Sequence, residues 1–189
     1  MDGDTIVALS SGALPSGVAV IRLSGPGTSR VLESLAISDI EPRRLALRSL
    51  RLAGELIDNG LVAWMPGPQS FTGEDTAELQ VHGSAAVVRR LLRGITTIEG
   101  VRLAEAGEFT RRAFANGKLD LTEVEGLGDL IEAETETQRQ QAVARLAGGI
   151  SERIAAWRET LLDVRAEVEA RLDFSDEGDV SQELPHNVI

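Results

Sequence analysis

The chain has no cysteine, which excludes disulfides, thiolate chemistry and cysteine-based metal sites and fits a reducing cytosol. Its two histidines, His82 and His186, are too few for a histidine metal cluster. Aromatic residues make up 3% of it, little with which to stack nucleic-acid bases. No apolar run approaches the ~18 residues of a membrane-spanning helix. The opening "MDGDTIVALS" is acidic and lacks the basic start of a signal peptide. Proline is missing from Leu119 to Leu184, and Lys118 is the one lysine among basic residues that are otherwise all arginine.

What is present is 189 residues with 42% hydrophobic content, enough for one domain or two small ones with a real core. The net charge of -11 is uneven. Residues 1–118 carry 13 acidic and 13 basic side chains, and residues 119–189 carry 17 and 6. The acidic second part repels phosphate backbones and suits a solvated surface or a basic protein partner. The neutral first part leaves room for a small anionic ligand in a local positive pocket.

Residues 1–118 mix short strands and helices. "TIVALS" (5–10) and "VAVIRLSG" (18–25) predict strands, being β-branched and apolar. "TSRVLESLA" predicts a short helix capped by Thr28 or Ser29. "LALRSLRLAGEL" and "IDNGLVAWM" predict a hairpin turning at Asn59-Gly60. "TAELQVHG" predicts another strand, "SAAVVRRLLRGITTI" a helix with Val87, Leu91, Leu92 and Ile95 inward, and "VRLA" a last strand. "GEFTRRAFANG" predicts a helix ending at Gly117.

After Lys118 the pattern turns helical. Leu121, Val124, Leu127, Leu130 and Ile131 form one stripe, followed by the polar run "EAETETQRQQ" and a break at Gly148-Gly149. From Ile150, apolar residues recur every three or four positions through Ile154, Trp157, Leu161, Val164, Val168 and Leu172. The expectation is a mixed α+β domain, 1–118, followed by an all-α antiparallel helical hairpin, 119–189. The hairpin's stripe needs a partner, such as a third helix from elsewhere in the same polypeptide, and the chain reads as truncated at its C-terminus.

Familiar catalytic motifs are missing. Gly117-Lys118 is followed by Leu119, and Arg112 stands where a Walker A motif needs glycine. Ser24, Ser70 and Ser84 lie in no nucleophile elbow. "DFSDEGDVSQEL" (173–184) resembles a calcium loop but ends on Leu184, where a bidentate glutamate is required. It reads as a solvated acidic linker. His82 reads as structural, with a ring nitrogen bonded to backbone. No catalytic or metal-ligating residue is assigned.

Three charged residues are awkward where they stand. Arg22 lies in the most hydrophobic strand, and Glu78 lies between Ala77 and Leu79. Each costs free energy unless paired or exposed. Glu78 either faces outward or points into a pocket, where it would accept paired N–H donors of a ring such as a pterin. Arg22 either snorkels or meets an anion. Lys118 offers a compact ammonium for a carboxylate or carbonyl, which arginine's planar fork does not reproduce. The turn-rich Ser70-Phe71-Thr72-Gly73-Glu74-Asp75 could line a cleft.

Residues 4–27, 66–87 and 107–135, with 146–180, resemble the N-terminal region of the MnmE/TrmE tRNA modification GTPases. The blocks carrying the likeness are Ser-Phe-Thr-Gly-Glu-Asp and Gly-Glu-Phe-Thr followed by Ala-Phe and Asn-Gly-Lys-Leu-Asp-Leu. Two departures stand out: Leu14-Pro15-Ser16-Gly17 replaces the usual Gly-Arg-Gly-Gly, and His82-Gly83-Ser84 the usual His-Gly-Gly. The resemblance implies a dimerising domain similar to the folate-binding domain of aminomethyltransferases. It would bind 5-formyltetrahydrofolate through Arg22, Glu78 and Lys118. A helical domain would follow, carrying an inserted GTPase domain that is absent here together with its GTP, magnesium and potassium. The family is cytoplasmic and modifies C5 of the wobble uridine of tRNA with an MnmG-type flavin protein. Two other readings stay open: a dimerisation module without folate, and a stand-alone aminomethyltransferase-like enzyme.

Overall fold

Alternating burial along two central strands sets the layers of the first part of the molecule. In the computed structural model, which describes residues 3–173, the chain divides into two compact units, Met1–Asp120 and Leu121–Ile189. Unit one holds β1 (Thr5–Leu9), β2 (Ser16–Ser24), β3 (Ala46–Leu52), β4 (Glu55–Met65), β5 (Thr76–Gly83) and β6 (Val101–Leu103). Its helices are α1 (Thr28–Ser34), α2 (Ala85–Ile95) and α3 (Glu108–Ala115). The strands form one mixed sheet in the order β3-β4-β5-β2-β1-β6, antiparallel except for β1 with β6.

On β2, Ala19, Ile21 and Leu23 are fully buried, and on β5 Ala77, Leu79 and Val81 match them. These residues share a core with Val31, Leu32 and Leu35 of α1 and Val88, Leu91 and Ile95 of α2. Period-two geometry sends the intervening residues, Val20, Arg22, Glu78 and Gln80, to the opposite face. There Arg22 lies opposite Glu78 on β5 and Ala8 on β1. Glu78 in turn lies opposite Ala63 on β4. Further along the same face, Leu47 opposes Leu61, and Leu61 opposes Gln80.

The β3–β4 hairpin turns at Ala53-Gly54 and not at Asn59-Gly60. Ala53 and Gly54 have φ of 49° and 84°, the two positive values a type I′ turn requires. Asn59 and Gly60 lie inside β4, where Asn59 Oδ1 accepts from Ser49 Oγ at 2.6 Å. A Cβ on Gly60 would collide with the Gln80 carbonyl. Glycine is therefore there for close strand approach. The cap expected for α1 is also absent. The cap position is Gly27, and Thr28 Oγ1 donates instead to the Gly25 carbonyl at 2.8 Å. Ser84 does cap α2, accepting from the Ala86 amide.

Unit two has three helices where two were expected: α4 (Leu121–Glu132), α5 (Glu136–Leu146) and α6 (Gly149–Asp173). The polar run breaks because Thr135 and Gln138 form a reciprocal capping box that starts a new helix. On α6, Ile154, Trp157 and Leu161 are 47%, 59% and 67% exposed among the described residues. The calcium-like stretch beyond Asp173 and His186 lie outside the described residues.

At Gly126, α4 comes close against α5. A Cβ there would sit 2.8 Å from the Leu146 amide nitrogen and 2.9 Å from Arg145 Cβ. Gly126→Ala gains ~1 kcal/mol of helix propensity but forces backbone apart, at ~1–3 kcal/mol. The overlap is with backbone, so it wins. Thermal unfolding followed by circular dichroism should show a lower midpoint.

Candidate functional site

The charged pair on the open face is built by strand register. Arg22 Nε and Nη2 donate to Glu78 Oε1 at 2.9 and 2.7 Å. Their side chains are 30% and 22% exposed, so the pair is neither sealed in the core nor free in solvent. Because both donors converge on one oxygen, Glu78 Oε2 accepts no hydrogen bond among the described residues. The Arg22 guanidinium lies 5.6 Å from the Phe71 ring centre and 5.8 Å from that of Phe109. Such cation–π contacts add ~0.5–1 kcal/mol each at partly exposed sites.

Phe71 belongs to loop 66–75 and Phe109 to α3, so the two rings reach Arg22 from different elements. The same loop meets Lys118. Lys118 Nζ donates to the Pro68 carbonyl at 3.2 Å, and a Cβ on Gly73 would sit 3.3 Å from Lys118 Cγ. Gly73 has a φ of 80°, so glycine satisfies both the turn and the contact. Arg22 and Glu78 thus touch each other directly. Lys118 is tied to the loop whose Phe71 covers them.

Behind the loop lies an ionic network that sequence reasoning missed. Arg112, 10% exposed, donates to Asp4 Oδ1 at 2.7 Å, to Glu74 Oε2 at 3.0 Å and to Glu108 Oε1 at 3.2 Å. Arg102 donates to both Glu108 oxygens, Oε2 at 2.8 Å and Oε1 at 2.5 Å, and to Asp4. The group lines a cleft of about 640 Å³ with Asn116 and Arg111. Hydrogen bonds from Arg102 hold the Glu108 carboxyl down at about 2, against the upward push of burial. For Asp4, burial pushes upward, but the bonds from Arg102 and Arg112 outweigh it and lower the carboxyl. Glu108 and Arg112 fall four apart in a helical pattern, and that spacing was the available signal.

His82 is indeed held, but by a side chain. Its Nδ1 lies 2.8 Å from Asp58 Oδ1, and its amide donates to Asp58 Oδ2 at 2.8 Å. Burial pushes Asp58 upward, but the bonds from His82 and from the Asn59 amide keep its carboxyl below the usual range. Among the described residues, no cluster of histidine and carboxylate groups is arranged to hold a metal ion, and no helix is long and apolar enough to cross a membrane.

Residues 5–118 match the family described as the GTP-binding protein TrmE N-terminus, and residues 121–188 match the MnmE helical domain. The chain belongs to the MnmE/TrmE family. Proteins named tRNA modification GTPase MnmE are similar over nearly its whole length. The one from Mesorhizobium japonicum is 54% identical over 95% of this chain and 41% of its own length. That from Brucella canis is 55% identical over 94% and 40%, and that from Hyphomonas neptunium 51% over 98% and 43%. The chain therefore spans about two fifths of the length of these MnmE relatives.

Glu108 is 2% exposed, and its carboxyl is lowered from 4.5 to about 2. A lowered folded value stabilises above the unfolded value and is lost as pH falls through the folded one. The stabilisation, about 3 kcal/mol by linkage, is thus present at pH 7 and lost between pH ~4.5 and ~2. Glu108→Gln should cost ~2–4 kcal/mol at pH 7. Urea unfolding at a series of pH values should also show a shallower acid limb for the variant.

Proposed function

We propose that this chain is a reduced-folate-binding and dimerisation unit of a tRNA-modifying GTPase of the kind its relatives are named for. The observation that carries the reading is the Arg22–Glu78 pair: a partly exposed ionic pair on a sheet face, with two phenylalanine rings within 6 Å of the guanidinium. Its donor set fits 5-formyltetrahydrofolate. The uncommitted Oε2 of Glu78 suits the N–H donors of a pterin, whose paired geometry favours a carboxylate. Phe71 and Phe109 supply flat apolar surface. Arg22 and Lys118 supply positive charge for the ligand's carbonyl or carboxylate groups. When bound, the folate supplies the one-carbon unit for C5 of the wobble uridine. The chain's own residues bind and orient it.

Dimerisation is supported by the rest of the open face. Val18, Leu45, Leu47 and Leu61 are 57%, 56%, 67% and 39% exposed, and Leu47 and Leu61 are cross-strand neighbours. A second copy covering these residues would account for apolar surface that a lone domain rarely leaves open. The uncovered stripe of α6 supports completion of the helical domain by a further helix of the same polypeptide. GTP, magnesium and potassium belong to the GTPase domain outside this chain. An MnmG-type flavin protein and tRNA are the partners of the whole cytoplasmic protein.

Two measurements test this reading. Calorimetric titration with 5-formyltetrahydrofolate should show ~10- to 100-fold weaker binding for Glu78→Gln and Lys118→Ala, since each removes a charge-assisted contact of ~1.5–3 kcal/mol. Wild-type affinity in both variants would refute the site. Light scattering should find wild type dimeric and Leu47→Glu with Leu61→Lys monomeric, because a second copy would have to desolvate the new charges while the opposite signs leave the strand pair itself intact. A dimer that persists in that double variant would put the interface elsewhere.

A further inference from the structure

Loop 66–75 touches both halves of the proposed site, so what fixes the loop decides the site's geometry. Within the loop, the Gly67 amide donates to Asp75 Oδ1 at 2.9 Å and Ser70 Oγ to the Glu74 carbonyl at 2.5 Å. Those bonds shape the loop but do not say where it sits. Ser24 supplies one anchor from β2, at 2.7 Å from both Thr72 Oγ1 and Glu74 Oε2. Two more come from α3: Arg112 Nη1 donates to both Glu74 oxygens at 3.2 and 3.0 Å, and Asn116 Nδ2 donates to the Thr72 carbonyl at 2.7 Å.

The spacing of these helix residues matters. Phe109, Arg112 and Asn116 fall at i, i+3 and i+7, on one face of α3 and its cap. One face therefore presents the ring beneath Arg22 and both ties to the loop that carries the other ring. The Lys118 amide donates to the Ala113 carbonyl at 2.8 Å, so the lysine is also hung from the end of this helix. Arg112 is the best anchored of the ties. Its guanidinium also grips Asp4 at both the backbone oxygen, 3.0 Å, and the carboxylate, 2.7 Å.

We propose that Arg112 is the positioning residue of the folate site, acting through Glu74 to hold loop 66–75 in register with α3. Its fork sets the separation of Phe71 and Phe109 across Arg22, and the position of Pro68 and Gly73 against Lys118. Arg112 and Glu74 need not touch the ligand. The inference rests on the folate reading above.

The test is calorimetric titration of the full chain with 5-formyltetrahydrofolate, beside thermal unfolding without ligand. Arg112→Lys keeps the charge but cannot span Asp4 and Glu74 together. Glu74→Gln keeps length and one acceptor, and Glu74→Ala keeps neither. The expected result is a graded rise in Kd, ~3-fold for Glu74→Gln and ~10-fold for Glu74→Ala and Arg112→Lys, equivalent to losing the ordering of one charge-assisted contact. The unfolding midpoint of Glu74→Gln should stay within a few degrees of wild type, and Arg112→Lys, although its midpoint falls further, should remain folded at the assay temperature. If wild type binds and the variants keep its Kd within about twofold, positioning by Arg112 is refuted and the folate reading stands. Affinity that falls only in proportion to the unfolded fraction at the assay temperature refutes it equally. If wild type itself does not bind, the folate reading fails, and this inference with it.

Discussion

An ion pair standing between two strands is the constraint around which the first unit is arranged. Ile21 and Leu23 on one strand and Ala77 and Leu79 on the other must face the core. Period-two geometry then obliges Arg22 and Glu78 to face the other way and, in the observed register, to face each other. A slip of either strand by one residue would turn its charged side chain into the apolar core and strand the other without its partner, at a cost of several kcal/mol. Register and ion pair therefore reinforce one another. Partial exposure lowers the desolvation cost, and the two phenylalanine rings within 6 Å of the Arg22 guanidinium add cation–π attraction.

The two faces of the sheet are consequently unequal. One is sealed by α1 and α2 around a continuous core. The other carries the ion pair, the loop with Phe71, and a stretch of exposed valine and leucine. Unit two likewise leaves isoleucine, tryptophan and leucine of α6 exposed among the described residues.

The network of Asp4, Glu74, Arg102, Glu108 and Arg112 joins segments a hundred residues apart. Its arginines and carboxylates are each satisfied by several partners, the condition under which partly buried charge is tolerated. The network ties the N-terminal strand, the loop and α3 into one body beneath the Arg22 pair.

Much was legible in the sequence by itself. Alternation and helical spacing located the strands and most helices, because burial of apolar side chains is periodic along the chain. Arg22 and Glu78 stood out because charge in an apolar strand is costly, and Lys118 because it interrupts an all-arginine composition. Tertiary structure alone decided the rest. The turn fell at Ala53-Gly54 because Gly60 is needed for close approach to β5. The polar helical run broke at Thr135, where a reciprocal side-chain cap outweighs continuity. That Arg22 meets Glu78, that two rings approach its guanidinium, and that Arg112 ties loop to helix depend on register and loop path. Those are set by contacts between residues far apart in sequence, which no local pattern records.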